Sequence, residues 1–236
     1  SVRIEKEVFT MYNENGQLRN LSSRETGLYF IAGLLFNAVG NGLTVATNMG
    51  SAPWTASAAN LANATGLSIS VFLFAYGLIA AILSCVLLKS IDWPRVIGNL
   101  LFVLTFSVII GFVSSFFAAQ GIGDLPMPTR LLIDLIAIVS VGCGVSITQR
   151  LQFILHPLDD LTNLTRFMFF KGNAGVAQIV NFAIPMVISL AVWAFTGNLV
   201  AVNIGTLVSF FFQGVVIGYA DKTVFSHLDH KLKLNN

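Results

Sequence analysis

Three long stretches without a charged residue restrict what this chain can fold into more than any other feature. Residues 26–88, 96–123 and 173–220 contain no Asp, Glu, Lys or Arg. A helix needs roughly 20 apolar residues to cross a bilayer core about 30 Å thick, so each stretch holds one or two crossings. Only 10% of the 236 residues are charged, whereas an ordinary soluble domain carries about 25%. The sequence therefore predicts an all-α integral membrane protein.

The apolar pattern predicts six transmembrane helices, of which the fourth is the shortest. Their predicted bounds are residues 27–47, 69–88, 96–119, 131–148, 174–195 and 199–220. Two of the connections, residues 48–68 and 149–173, are rich in small or apolar residues and carry Pro53 and Pro157. Because irregular backbone is not tolerated against lipid, we expect each to be a short helix or re-entrant element packed against protein.

The basic residues predict which side of the membrane holds the two termini. With six spans, the termini and the connections after spans two and four share one side, and 12 of the 13 Lys and Arg residues lie there. Arg130 is the exception. The positive-inside rule then places both termini in the cytoplasm. Residues 1–26 are predicted to be a polar leader with room for a short surface helix, and residues 221–236 a charged tail.

An internal repeat relates the two halves of the chain. Residues 97–112 align without a gap on residues 204–219, with six identities that include two glycine pairs. The small-xxx-small step at Ser107 and Gly111 recurs at Gly214 and Gly218, and this spacing lets helix backbones approach closely. Farther upstream, the run GNGLT of span one echoes GCGVS of span four, and Pro53 corresponds to Pro157.

This repeat predicts two inverted three-helix units, residues 27–120 and 121–220. Each unit has an odd number of spans, so the second must enter the membrane from the side opposite to the first. Inverted repeats are common in secondary transporters, where exchange of the two conformations opens a central site to either side. Channels and non-transporting proteins are also built this way, so the repeat alone does not decide the function.

The run TNMGSAPWTASAANLANATGLS, residues 47–68, resembles a signature that follows the first helix in the YczE/YyaS/YitT family of bacterial membrane proteins. The similarity rests on residues 50–54 and 65–68, and on a proline–aspartate motif at residues 157–159. It extends over nearly all of residues 27–220. The resemblance implies a bacterial inner-membrane protein, in a family to which permease activity is assigned by analogy.

The chain departs from the pattern of that family at two positions. Ala52 separates the serine from the proline, and Thr55 occupies the position that is usually acidic in the first half. Asp159 in the second half therefore has no acidic counterpart in the first.

Two carboxylates beside Pro157 are the leading candidates for a functional site. An ionised Asp159 or Asp160 inside the membrane needs a partner, which makes both residues candidates for binding a solute or a proton. The alternative is a cytoplasmic loop in which an aspartate caps a short helix. His156 is a candidate to share a proton or cation with these carboxylates, or it is a solvated histidine at the interface.

Span one presents a polar face to the Pro53 element. Asn41, Thr44, Thr47 and Asn48 recur at three- and four-residue spacing, which places them on one side of a helix. They form either the polar wall of a substrate pathway or hydrogen bonds between helices.

Trp54 either caps an apolar pocket or anchors the chain at the interface. The substrate-binding residues predicted from all of this are Asn41, Thr44, Asn48, Pro53, Trp54, Thr55, His156, Asp159 and Asp160. Further polar residues within the spans are Asp134, Gln178, Asn181, Asn203 and Gln213.

No motif supports catalysis, a metal site or a cofactor. The chain has no Ser/His/Asp arrangement, HExxH sequence, P-loop or dinucleotide fingerprint. Its net charge of +2 does not favour nucleic acid as a partner.

The leading hypothesis is a small secondary transporter for a small organic solute. The alternatives are an accessory membrane protein that regulates a partner, and a substrate-binding subunit that works with a separate ATPase. The expected partners are the bilayer, an unknown solute and either a second copy of the chain or another membrane protein.

Overall fold

The computed structural model describes residues 11–14 and 16–230 of the chain. Within these residues lie a β-hairpin, eight α-helices and a short 3-10 helix, Ile122–Asp124. The hairpin strands are β1 (Met11–Glu14) and β2 (Gln17–Asn20). The helices are α1 (Ser23–Ala46), α2 (Pro53–Thr65), α3 (Ile69–Leu88), α4 (Trp93–Ala119), α5 (Met127–Leu151), α6 (Pro157–Met168), α7 (Ala174–Thr196) and α8 (Ile204–Thr223). Parts of the predicted leader and tail, residues 1–10 and 231–236, lie outside the described residues.

Six of these helices, α1, α3, α4, α5, α7 and α8, are long and apolar enough to cross a membrane. The prediction of an all-α membrane protein with six spans is therefore confirmed. The fourth span is not the shortest, because α5 has 25 residues and includes polar and charged positions at both ends. The sixth span begins at Ile204 rather than at residue 199, since the Asn203 side chain caps α8 by accepting a hydrogen bond from the Ile204 amide at 2.8 Å.

The distribution of side chains is that of a protein surrounded by lipid. Large apolar side chains cover the outside, and Val108, Phe112 and Phe195 remain 73%, 73% and 91% exposed. The interior is instead rich in small and polar residues, among them the fully buried Ala38 and Asn60. Packing through small residues and interhelical hydrogen bonds is the usual basis of helix association in a bilayer. The apolar exterior is therefore the surface that contacts the lipid chains.

Close backbone contact joins α1 and α5 at the centre of the bundle. A side chain at Gly144 would collide with the backbone amide of Asn37, and a Cβ atom at Gly40 would lie 2.7 Å from the carbonyl oxygen of Ala137. These glycines belong to the two echoing runs GNGLT and GCGVS. Glycine is required at both positions because any side chain would force the helices apart.

The second small-residue step behaves differently in the two halves. A Cβ atom at Gly214 on α8 would lie 2.6 Å from the carbonyl oxygen of Ala174, so this glycine does bring α8 close to α7. A Cβ atom at Gly111 on α4 meets nothing within 4 Å among the described residues. The expectation of a close helix contact at Gly111 is therefore wrong within the described chain, because this part of α4 faces outward.

The helix pairing exchanges elements between the two halves. The short helix α2 packs on α7, and the short helix α6 packs on α3, so each contacts a long helix of the other half. α1 packs on α4 as α5 packs on α8, and α1 and α5 pack on each other. The inverted relation of the two units stays a prediction, with which this pairing agrees.

Both ends of the described chain meet at one end of the bundle, here called the termini face; the opposite end is the distal face. The amide of Asn13 on the hairpin donates to the carbonyl oxygen of His227 at 2.8 Å. Residues 11–14 and 17–20 form strands rather than the predicted surface helix, because Gly16, with a φ of +85°, turns the chain back on itself. The buried Arg150 fixes the C-terminal segment by donating to the carbonyl oxygens of Val224 and Phe225 at 2.6 and 2.9 Å.

Candidate functional site

The two proline-containing connections each form a short helix that begins inside the bundle. Pro53 and Pro157 occupy the first turns of α2 and α6, where the missing amide hydrogen costs nothing. The ring of Pro157 lies 3.7 Å from the Cβ position of Gly77, which is the ninth residue of α3. Trp54 donates from Nε1 to Oδ1 of Asn181 on α7 at 2.6 Å. Both helices therefore start near the middle of the spans, as the re-entrant interpretation predicts.

From these starting points α2 and α6 run in opposite directions. Asn60 of α2 exchanges two hydrogen bonds with the backbone of Val200, at 2.7 and 2.9 Å, in the connection between α7 and α8 at the distal face. Arg166 of α6 donates to Oδ2 of Asp221 at 2.7 Å, near the end of α8 at the termini face. The N-terminal ends of both short helices thus point into the bundle, and their C-terminal ends point out of it.

A chain of hydrogen bonds joins the two short helices through α7. Asn181 accepts from Trp54 of α2 and donates from Nδ2 to the hydroxyl oxygen of Thr162 on α6. The indole ring also contacts Tyr76 edge-on, with ring centroids 4.8 Å apart. Trp54 was predicted to cap a pocket or to anchor the interface, and the structure instead places it in this interhelical link.

Asp160 is held by α4. The guanidinium group of Arg95 donates to both carboxylate oxygens, from Nε to Oδ2 at 2.9 Å and from Nη2 to Oδ1. Asn99 adds a bond from Nδ2 to Oδ2 at 2.9 Å. The carboxylate is buried and its acceptor positions are engaged by α4, so in this structure Asp160 fixes the first turn of α6 in place.

His156 caps α6 and packs between two phenylalanines. Its Nδ1 atom accepts a hydrogen bond from the Leu158 amide at 3.3 Å, so the proton of the neutral ring is on Nε2. The ring lies edge-on to Phe102 and Phe106, with centroids 6.2 and 5.6 Å away. Burial lowers the pKa of His156 to about 4, which keeps the ring uncharged at neutral pH. The structure therefore shows a neutral cap rather than the solvated histidine of the alternative interpretation.

Asp159 faces α1 and is only partly covered. Burial and the neighbouring Asp160 carboxylate raise the pKa of Asp159 to about 7, and a hydrogen bond with the side chain of Asn37 opposes this rise. Asp159 is therefore a carboxyl group that gains and loses a proton close to neutral pH. Carboxyl groups with such pKa values are frequent at functional sites.

The polar face of α1 connects Asp159 to the other end of the helix. Asn41 donates from Nδ2 to Oδ1 of Asn37 at 2.7 Å. The hydroxyl of Thr44 donates to the Asn41 carbonyl oxygen, and that of Thr47 to the Thr44 carbonyl oxygen, both at 2.8 Å. A continuous line of polar groups thus follows α1.

Asn48 is not part of this face. It lies beyond the end of α1, with a φ of +53°, and its side chain is exposed toward the 3-10 helix, where Nδ2 lies 3.0 Å from the Cβ position of Gly123. The predicted helical spacing fails here because α1 ends at Ala46. Asn37 extends the same face by one turn in the other direction, and its spacing of four residues from Asn41 is the signal that could have found it.

A cavity of about 10 Å³, room for about one water molecule, lies between α1, α5 and α8. We call it the α1–α5–α8 cavity. It is lined by Asn41, Thr44, Gly50, Ser51, Ala52, Asp134, Ile138, Val141, Gly205, Ser209 and Gln213. Of the predicted site residues it contains Asn41 and Thr44, and it also includes Ser51 and Ala52, which directly precede Pro53. Thr55 and Asp159 do not line the α1–α5–α8 cavity.

The gapless alignment of the repeat explains why the first half has a cavity here. Phe102 and Phe106 align with Ser209 and Gln213, and the histidine one residue before Pro157 corresponds to Ala52 before Pro53. Beside Pro157 an imidazole ring fills the space next to two aromatic rings. Beside Pro53 smaller side chains occupy the equivalent positions and leave the space open.

Comparison with known protein families assigns the chain to a family. The profile of a family of unknown function, DUF6198, matches residues 25–222. The chain belongs to this family. The match covers all six spans and both short helices of this DUF6198 protein, while the β-hairpin precedes it. No curated protein and no solved structure matches the chain. The kinship with the YczE/YyaS/YitT family stays a prediction.

Proposed function

We propose that this DUF6198 protein is a small secondary transporter, or permease, for a small organic solute. The observation that carries the proposal is the α1–α5–α8 cavity, which has six polar residues among its 11 lining residues and lies where helices of both halves meet. Such sites near the middle of the membrane, beside broken or short helices, are the usual arrangement in secondary transporters. Two short helices that begin inside the bundle provide the same elements here.

The predicted inverted repeat supports the proposal. Thr206 on α8 donates to the Ser51 carbonyl oxygen at 2.8 Å, and Asn99 on α4 accepts from the Leu155 amide at 3.0 Å. Thr206 and Asn99 align in the repeat, and Ser51 and Leu155 each lie two residues before a proline. Equivalent helices thus hold equivalent connections, which is what an exchange of conformations between the halves requires.

Asp159 is the group that we assign to substrate or proton coupling. It has a pKa of about 7, and Asn37 links it to the polar face that ends in the cavity. A proton taken up or released by this carboxyl would alter its bond to Asn37. Asn41 lines the cavity, so a change at Asp159 can be passed to the cavity through Asn37 and Asn41 on α1.

A network of charges closes the termini face in this structure. Asp221 accepts from Arg166 at 2.7 Å and from the hydroxyl of Ser146 at 2.7 Å, and His230 lies 3.1 Å from the same carboxylate. These groups come from α5, α6, α8 and the C-terminal segment. Transport requires this closure to open, so the proposal treats the structure as one of two conformations.

The size of the cavity favours the accessory role as a second candidate. At about 10 Å³ it has room for about one water molecule, far less than the cavities of about 300–1,000 Å³ that hold drug-sized ligands, and the α1–α5 contact is tight. An accessory protein would bind a partner through its outer helix faces without transporting a solute.

The decisive experiment begins with the thermal stability of the purified protein in the presence of amino acids, sugars, vitamins and nucleosides. A compound that binds the native state raises the melting temperature. Each compound that does so is then tested for uptake into proteoliposomes. We expect Asp159→Asn to abolish this uptake and to leave folding intact.

A matched control is Asp124→Asn, which changes an exposed carboxylate in the 3-10 helix. It should transport as the native protein does. Equal uptake by Asp159→Asn would remove Asp159 from the mechanism. A different result would be that no compound changes the melting temperature and that the well-folded protein co-purifies with a partner. Co-purification with another membrane protein would favour an accessory role, and co-purification with an ATPase would favour a substrate-binding subunit.

A further inference from the structure

Asp134 is a fully buried carboxylate in α5 that the proposed mechanism does not use. Its Oδ1 atom lies 3.1 Å from the hydroxyl oxygen of Thr47, whose single proton is shared between this carboxylate and the Thr44 carbonyl oxygen. Its Oδ2 atom has no hydrogen-bond partner among the described residues, and the residue lines the α1–α5–α8 cavity. A buried carboxylate with one unengaged oxygen on a cavity wall indicates a missing positively charged or hydrogen-donating partner.

Arg130 does not supply that partner. It lies one helical turn before Asp134, where its Nη1 donates to the carbonyl oxygen of Thr47 at 3.2 Å and its Nε has no hydrogen-bond partner among the described residues. Neither of these two nitrogens bonds to the carboxylate. Among the residues that the structure describes, no Lys, Arg or His lines the cavity.

The first turn of α8 also leaves Oδ2 without a bond. The amide of Gly205 donates to the Met49 carbonyl oxygen at 2.8 Å, and that of Ile204 donates to the Asn203 side chain at 2.8 Å. A side chain at Gly205 would collide with Oδ2 of Asp134. Glycine at this position therefore lets the carboxylate lie directly against the backbone of α8.

The remaining polar groups of the cavity are mainly hydrogen-bond acceptors. The amide nitrogen of Asn41 donates to Asn37, and that of Gln213 donates to the Ile138 carbonyl oxygen at 3.4 Å. Their amide oxygens are thus left as acceptors. The hydroxyl oxygen of Ser51 has no hydrogen-bond partner among the described residues. A carboxylate, amide oxygens and hydroxyl oxygens are the ligands that hard cations and ammonium groups prefer.

We infer that the α1–α5–α8 cavity binds a small monovalent cation on Oδ2 of Asp134, either a sodium ion or the ammonium group of a small solute. The cation neutralises a carboxylate that is otherwise unpaired, and Ser51 and the two amide oxygens complete its surroundings. The cavity has room for about one water molecule, which suits a small ion or the ammonium head group of a solute. This binding does not depend on transport, so it stands or falls separately from the proposed function.

The test measures the melting temperature of the full-length protein in detergent. Sodium chloride, methylammonium chloride and choline chloride are compared at equal ionic strength, with choline as the cation too large for the cavity. We expect sodium or methylammonium to raise the melting temperature by about 2–4 °C over choline, the shift that a modest binding energy gives in a protein of this size.

The variant Asp134→Asn should lose this response. It should also melt at a higher temperature than the native protein in choline, because the amide removes the uncompensated charge. Asp124→Asn should respond as the native protein does. If Asp134→Asn does not fold, Ser51→Ala tests the site without changing a charge. In this variant the cation concentration that gives half of the shift in melting temperature should rise several-fold.

The responding cation identifies the source of the charge. A shift with sodium alone assigns an inorganic ion, and a shift with methylammonium alone assigns the ammonium group of a solute. An unchanged melting temperature in both salts, or a shift that persists in Asp134→Asn, overturns the inference. A further outcome is that neither salt has an effect, and that the melting temperature depends on pH in the native protein but not in Asp134→Asn. This outcome assigns a proton to the carboxylate and also overturns the inference.

Discussion

Arg95 on α4 holds the carboxylate of Asp160 on α6 through two guanidinium nitrogens. The carboxylate side chain is almost fully buried and the guanidinium is largely so, at 2% and 19% exposure. A charge pair in such surroundings fixes geometry more than it adds stability, since both groups lose their hydration. The relationship explains how a short helix that begins inside the bundle keeps its first turn, and Asp159 within it, in one position.

Removal of Arg95 should destabilise the protein strongly. Arg95→Leu leaves the Asp160 carboxylate buried without its charge partner, which typically costs about 3–5 kcal/mol. The free energy of unfolding in detergent, from denaturant titration, measures this loss.

The double variant Arg95→Leu, Asp160→Asn is the control for this prediction. It removes both charges and should recover most of the lost stability. If the double variant is as unstable as Arg95→Leu alone, the unpaired carboxylate is not the cause of the loss.

The membrane spans were predictable because each is a local property of the sequence. A charge-free run long enough to cross the bilayer predicts a helix wherever it occurs, and α3 follows its predicted bounds, residues 69–88. The two short helices were also predictable, since Pro53 and Pro157 interrupt stretches too short or too polar to be full spans. Helix ends were less accurate, because caps such as Asn203 decide them.

The pairing of polar residues could not be predicted, because partners lie far apart in the chain. Thr47 and Asp134 are separated by 87 residues, and Arg95 and Asp160 by 65. Each was visible as a polar residue in or next to an apolar stretch, but nothing local shows which pair will meet. In the sequence Asp134 is therefore one polar residue among several within the spans, and nothing there predicts the cavity that it lines.

The contact between α1 and α5 should tolerate no side chain at Gly144. The added methyl group of Gly144→Ala would press on the Asn37 backbone and lie near the Gly33 carbonyl oxygen, at 2.6 Å. Forcing atoms into a filled contact costs about 1–3 kcal/mol. The melting temperature of the purified protein should fall accordingly.

Gly111→Ala is the matched control, since it makes the same change in a helix where a Cβ atom meets nothing within 4 Å among the described residues. It should leave stability unchanged or raise it slightly, because alanine favours helix over glycine by about 1 kcal/mol. Equal losses in the two variants would mean that the α1–α5 contact is less tight than described, or that Gly111 packs against a further copy of the chain.

The stability of the protein should depend on pH through Asp159. Its pKa is about 7 in the folded protein and has an ordinary value of 3.8, so the folded state binds the proton more tightly than the unfolded chain does. The contribution of Asp159 to stability should therefore decrease as the pH rises from about 4 to about 7, and level off above that. Melting temperatures across this range measure the effect.

Asp159→Asn removes the titrating group, so its melting temperature should change less over the same pH range than that of the native protein. Asp124→Asn should keep the native dependence. Parallel curves for the native protein and Asp159→Asn would contradict the assigned pKa of Asp159.

The link from Trp54 through Asn181 to Thr162 should hold the two short helices together. Asn181→Leu keeps a side chain of similar size but leaves the indole N–H without its acceptor at 2.6 Å and the Thr162 hydroxyl without its donor. An unsatisfied buried polar group costs about 1–3 kcal/mol. Asn63→Leu, the same change at an exposed position of α2, is the control and should have little effect.

In a background in which the exposed Trp93 and Trp193 are replaced by phenylalanine, fluorescence reports on Trp54 alone. We expect Asn181→Leu to alter that emission and to lower the melting temperature, whereas an unchanged spectrum would show that the indole does not depend on Asn181 for its position.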